Sequence, residues 1–384
     1  MKTSDLRGAA RLATDATAGL TDLVEAMHER IARIPGLGGV LDGRTTGITG
    51  LVYKTVRGVT KVAGGTVDAL LGLITPALRE GDSSPGREAV VAALNGVLGD
   101  HLVASQNPLA TPMAFRREGS ALPLERAALA AQLPDAGPRL LLLLHGLCMN
   151  DLQWQRQGHD HGALLARELG CTAVYLHYNT GRAIADNGRE LAGLMQRLVD
   201  AWPLPLQHVV LLTHSMGGLV ARSALRQAAA AGMAWPQRVD DLVFLGTPHQ
   251  GAPLEKAGHG LDLLLGATPY AAPLARLGKV RSAGITGLRH GDPAPLPEGP
   301  RCWTIAATLG AEPGATNGRL LGDGLVPLNS AFGRHKDAAR SLRFAPERQC
   351  VVQDTNHMEL LSSPVVAAQL LRWLQAAAPS NPQG

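Results

Sequence analysis

From Pro138 onward, short apolar runs alternate with segments long enough for helices, and this alternation constrains the fold more than any other feature of the chain. Runs without internal polar alternation are strands buried on both faces, and helix-length stretches between them supply the crossovers of a parallel sheet. The runs are Arg139–Leu144, Thr172–Tyr178, Val209–Leu212, Leu242–Leu245, Cys302–Ala307 and Cys350–Val352, with helices predicted over 187–202, 216–230 and 364–377. The predicted fold class is α/β: a mostly parallel central sheet with helices on both faces. Each run ends at a polar or glycine-rich loop, and ligands of such sheets bind at those carboxyl ends.

The text before this region differs. Residues 1–105 read as a mainly helical N-terminal region, 106–378 as the α/β domain and 379–384 as a disordered tail. Leu20, Leu23, Met27, Ile31 and Ile34 follow helical spacing until Pro35-Gly36. Val52, Val56, Val59, Ala63, Val67, Leu70 and Ile74 form a second stripe, with Lys54, Arg57 and Lys61 opposite and no acid between Arg44 and Val67. A basic amphipathic helix of this kind suits an anionic lipid surface, so residues 46–75 are a candidate peripheral membrane contact. The same stripe also suits packing on the rest of the protein. A short helix is predicted at Ala89–Leu98, and Met113–Leu122 reads as a hairpin about Glu118-Gly119-Ser120.

Composition removes several function classes. Aromatic residues make up 3% of the chain and the net charge is +4, so the stacking surface of a single-strand nucleic-acid binder is missing and no nucleic-acid partner is expected. Cys148, Cys171, Cys302 and Cys350 lack zinc or redox spacing, and His159, His161 and His177 come without supporting carboxylate or cysteine spacing, so no metal is assigned. Met1–Leu20 develops no apolar signal core, which places the expected location in the cytoplasm, with a peripheral membrane contact as the variant.

Three strand ends carry chemistry. Thr213-His214-Ser215-Met216-Gly217 is close to the G-x-S-x-G turn that lifts a serine hydroxyl out of a sheet, with Thr213 in place of the first glycine. A serine needs a base, and His357 follows the last strand. Asp323, in Leu321-Gly322-Asp323-Gly324, follows the strand before it and is the candidate acid, with Asp354 as its competitor. Nucleophile, acid and base thus occur in the order Ser215, Asp323, His357. The oxyanion donors expected with them are the backbone amides of Met216 and Leu147, the latter in His145-Gly146-Leu147.

Together with Gly246-Thr247-Pro248-His249-Gln250-Gly251 and Asn356-His357, these segments resemble the α/β-hydrolase lipases and esterases of the triacylglycerol-lipase and GPI-inositol-deacylase type. The resemblance spans about Arg139 to Trp373. It implies an α/β-hydrolase fold, serine-ester hydrolysis through an acyl-enzyme, no metal or organic cofactor, and an inserted lid over 252–300. His145, Gly146, His214, Pro248 and His249 are expected around the substrate pocket. Leu261, Leu263, Leu264 and Leu265 in the insertion favour a hydrophobic ester. The competing reading is a membrane-peripheral scaffold or carrier-surface protein that keeps a degenerate hydrolase domain.

Overall fold

The computed structural model describes residues 85–252, 282–310 and 322–376. The helices expected before residue 85, the basic segment 46–75, most of the lid-like insertion and the tail lie outside the described residues.

Eight strands form one sheet in the order β2-β1-β4-β3-β5-β6-β7-β8. They are β1 (Ala114–Arg117), β2 (Ser120–Ala121), β3 (Arg139–Leu144), β4 (Thr172–His177), β5 (His208–His214), β6 (Val239–Leu245), β7 (Arg301–Ala307) and β8 (Gln349–Val352). The predicted hairpin is β1–β2, turned at Glu118 and Gly119 with positive φ, and β1 joins β4 antiparallel. All pairings from β4 through β8 are parallel. The helices of seven or more residues are α1 (Pro85–Ala104), α2 (Arg126–Gln132), α3 (His161–Leu169), α4 (Ile184–Ala201), α5 (Met216–Ala230), α6 (Ala283–His290) and α7 (Pro364–Ala376). This is the α/β-hydrolase arrangement expected from the sequence.

The leucine run of β3 shows why these strands are apolar throughout. Side chains alternate across a strand, so Leu140, Leu142 and Leu144 enter a core shared with α1, α4 and α5. Leu141 and Leu143 enter a second core, shared with α3 and α7 on the other face. A strand covered on both faces leaves no position for a solvated residue.

Two packing features bear on the segments that flank the sheet. The helix predicted at Ala89–Leu98 is the longer α1, and Val90, Ala93, Leu94, Val97 and Leu102 are buried in the first core beside Leu140 and Leu142. Within the described residues α1 therefore packs against the same core as the sheet. The predicted lid is likewise rooted in the core at its C-terminal side: within α6, Ile285 and Leu288 are buried, and Gly284 N donates to Gly181 O at 2.9 Å. Cys302 and Cys350, although on paired strands, do not face each other, because Cys350 is in register with Ile305. All four cysteines are free thiols.

The placement of α1 can be tested because the five tryptophans of the chain, Trp154, Trp202, Trp235, Trp303 and Trp373, all lie after it. Leu94→Ala is expected to lower the stability read by tryptophan fluorescence in urea by about 2–5 kcal/mol, the usual cost of emptying a packed core site. A separate helical unit would leave that transition where it is.

Candidate active site

Ser215 sits between the end of β5 and the start of α5 with φ 53° and ψ −123°, a conformation that a non-glycine residue holds only under constraint. Two hydrogen bonds supply the constraint. Ser215 N donates to Leu245 O at 2.9 Å, and Gly218 N donates to Ser215 O at 3.1 Å. The turn is tight enough that a Cβ on Gly217 would lie 2.8 Å from His145 O. Thr213, the departure from the usual glycine, uses its hydroxyl: Oγ1 donates to Val243 O at 2.8 Å across the sheet. Its branched side chain is therefore accommodated within the sheet.

Asp323 and His357 are joined twice. His357 Nδ1 donates to Asp323 Oδ2 at 2.7 Å, and His357 N donates to Asp323 O at 3.0 Å. The other carboxylate oxygen of Asp323 accepts from Leu325 N at 3.0 Å and Val326 N at 2.8 Å, which fixes the rotamer. Asn356 closes a capping box around the following turn, accepting from Met358 N and Glu359 N while Glu359 Oε2 accepts from Asn356 N. With Nδ1 committed to Asp323, the buried His357 Nε2 has no protein partner. That is the tautomer a general base requires. The competing carboxylate, Asp354, is exposed and lies in a left-handed turn at φ 48°.

The loop after β3 brings Gly146 against the serine, since a Cβ there would lie 2.9 Å from Ser215 Cβ. Leu147 follows it, and neither the Leu147 nor the Met216 amide donates to another described residue. The histidines expected around the pocket all have bracing contacts. His214 Nε2 donates to His357 O at 3.0 Å, with the two rings 4.6 Å apart. His145 stacks on Tyr178 at 4.5 Å and directs Nδ1 to Gly146 O at 3.0 Å, while Tyr178 Oη donates to His145 O. His249, beyond the buried Pro248, packs edge-on to Phe244 and accepts from Arg222 at 3.2 Å.

Burial keeps these rings neutral. His145 is pushed down to about 3 and His161 to about 4 by desolvation, and His214 and His249 are driven well below the usual imidazole range by the same cause.

One cluster of charged groups gave no joint signal in the sequence, although His177 stood out alone. Asp151, 4% exposed, lies 2.9 Å from His177 and 3.3 Å from Arg116, and Arg116 also donates to Glu88 of α1 at 3.2 Å. Burial alone would raise the Asp151 carboxyl, but His177 and Arg116 outweigh it and hold the carboxyl below its ordinary value. Because Glu88, Arg116, Asp151 and His177 are far apart in sequence, no spacing marks the cluster. Among the described residues no group of three or more His, Cys, Asp or Glu is arranged to hold a metal ion.

The buried histidines set a pH dependence. Between the unfolded value of 6.5 and the depressed folded values of His145 and His161, the unfolded chain takes up protons that the folded chain refuses, so stability falls as pH falls. At pH 5.5 each contributes a loss on the order of 1 kcal/mol. Calorimetry is expected to give a melting temperature several degrees lower at pH 5.5 than at pH 7.5, and an unchanged value would contradict the assignment.

Residues 139–293 match the family described as PGAP1-like alpha/beta domain. The matched stretch contains the His145-Gly146-Leu147 loop, the Ser215 turn and the Gly246–Gly251 segment, and ends before Asp323 and His357. No curated protein matches the chain. Among solved structures, the mature Bacillus licheniformis lipase is similar at 18% identity and a TM-score of 0.42, over 62% of this chain and 91% of that one. Aspergillus fumigatus lipase B is similar at 13% identity and a TM-score of 0.40, over 84% of this chain and 83% of that one. By strand order, by the turn at Ser215 and by the family match, the described residues form an α/β-hydrolase domain similar to the PGAP1-like alpha/beta domain.

Proposed function

We propose that the protein is a serine hydrolase that cleaves hydrophobic carboxylic esters through an acyl-enzyme. The observation that carries this reading is the buried His357–Asp323 pair, 2.7 Å apart, together with a serine in a strained strand-to-helix turn whose preceding residue, His214, has its ring 4.6 Å from that of His357. A serine hydroxyl is a poor nucleophile at neutral pH unless an adjacent base takes its proton.

In the proposed reaction Ser215 Oγ attacks the ester carbonyl carbon as its proton passes to His357 Nε2. Asp323 holds the ring by Nδ1 and stabilises the imidazolium. The amides of Leu147 and Met216 donate to the oxyanion of the tetrahedral intermediate. Collapse breaks the bond to the alcohol oxygen, which leaves with the proton from His357. Water then repeats the sequence on the acyl-serine, releases the carboxylic acid and returns the proton to Ser215. The neutral, braced His145, His214 and His249 do not act as bases here. His145, Gly146, His214, Pro248 and His249 are proposed to surround the bound acyl group, whose hydrophobic character is inferred from the leucines of the insertion.

Two measurements test the reading. A fluorophosphonate probe is expected to label the full chain at Ser215 and to leave Ser215→Ala unlabelled; failure of the unaltered protein to react would favour the degenerate-scaffold alternative. With p-nitrophenyl butyrate, Asp323→Asn is expected to lower kcat by about 10³–10⁴, as when the orienting carboxylate of such a triad is neutralised. Asp354→Asn should stay within about threefold of the unaltered enzyme, and the reverse ranking would transfer the acid role to Asp354.

A further inference from the structure

Helix α1 touches the loop that carries the Leu147 amide. A Cβ on Gly96 would lie 2.9 Å from Cys148 Cα and 3.0 Å from Cys148 N, and would overlap Cys148 Sγ. Only a glycine lets the helix approach this closely. Cys148 follows Leu147 directly and holds φ at 59°, a conformation that a residue with a side chain keeps only when its surroundings enforce it.

The surroundings that do so lead back to α1. Cys148 N donates to Thr180 Oγ1 at 3.1 Å, and the neighbouring Asn179 donates through Nδ2 to Gly99 O of α1 at 3.0 Å. At the far end of the same loop, Asp151 is held by Arg116, which Glu88 of α1 engages in turn. The loop is thus fixed at two points just after Leu147, Cys148 and Asp151, by groups that α1 anchors.

We propose that Gly96 and Thr180 are positioning residues for the oxyanion donor: the closeness of α1 at Gly96 and the hydroxyl of Thr180 together hold Cys148 in its left-handed conformation and so aim the Leu147 amide. The proposal rests on the reading of Ser215 as the nucleophile. A donor to the oxyanion acts in the transition state and hardly at all on the bound ester, so misdirecting it lowers kcat and leaves KM nearly unchanged. Loss of one such donor costs about 10²–10³ in rate.

The test is steady-state hydrolysis of p-nitrophenyl butyrate by the full chain. Gly96→Ala is expected to lower kcat about 100-fold with KM within about threefold, a magnitude set by loss of one oxyanion donor. Adding Cys148→Gly, which removes the overlapping sulfur and suits the positive φ, should recover about tenfold of that loss. Thr180→Val, which keeps the shape and removes the hydroxyl, should lower kcat about tenfold without touching the helix. Folding is checked by the melting temperature. An unchanged kcat in folded Gly96→Ala overturns the proposal, as does the absence of any gain from Cys148→Gly; if Gly96→Ala does not fold, an unchanged kcat in Thr180→Val does so. Those results differ from failure of the hydrolase reading itself, in which the unaltered protein neither turns over the ester nor reacts with a fluorophosphonate.

Discussion

The hydrogen bond from Ser215 N to Leu245 O extends the pairing of β5 with β6 one residue past the last strand position. It holds the serine backbone in place while the chain reverses into α5, and the surrounding structure is arranged to permit it. Gly217 and Gly218 let the helix start against the sheet, and Thr213 secures the preceding turn of the strand through Val243. The strain in φ and ψ is held by the packing of both cores against β5, whose side chains enter one on each face.

Much of this was legible in the sequence because it depends on local pattern. The leucine run of β3 and the extent of α5 follow from apolar runs and turn chemistry, and the order Ser215, Asp323, His357 follows from strand ends. Strand β5 is longer than its apolar run because His208, Thr213 and His214 are polar and yet paired within the sheet. Helix α3 is not marked by an apolar stripe, although Asp160 caps it and Gly170 ends it in the left-handed conformation. These are ordinary helix signals, hidden by a short segment with few large apolar residues.

Other features had no local signature. The burial of α1 depends on an apolar core built from residues of β3, α4 and α5, which the sequence of α1 does not specify. The cluster of Glu88, Arg116, Asp151 and His177 joins four separate elements, and each residue alone resembles a solvated charge. Its low exposure requires partners at every position, because an unpaired buried charge costs several kcal/mol. The roles of Gly96 and Cys148 likewise depend on where two distant segments meet.

Arg222, buried in α5, donates to the carbonyls of Asp292, Ala294 and Pro295, and Ala252 N donates to Leu288 O. Ser282 Oγ in turn donates to Gly96 O at 2.6 Å. Both flanks of residues 253–281 are therefore fastened to the scaffold by groups that lie outside that stretch. The positions of Ala252 and Ser282 are thus set by the same scaffold that holds Ser215, Asp323 and His357, so a change that loosened α1 or α6 would be felt at both places at once.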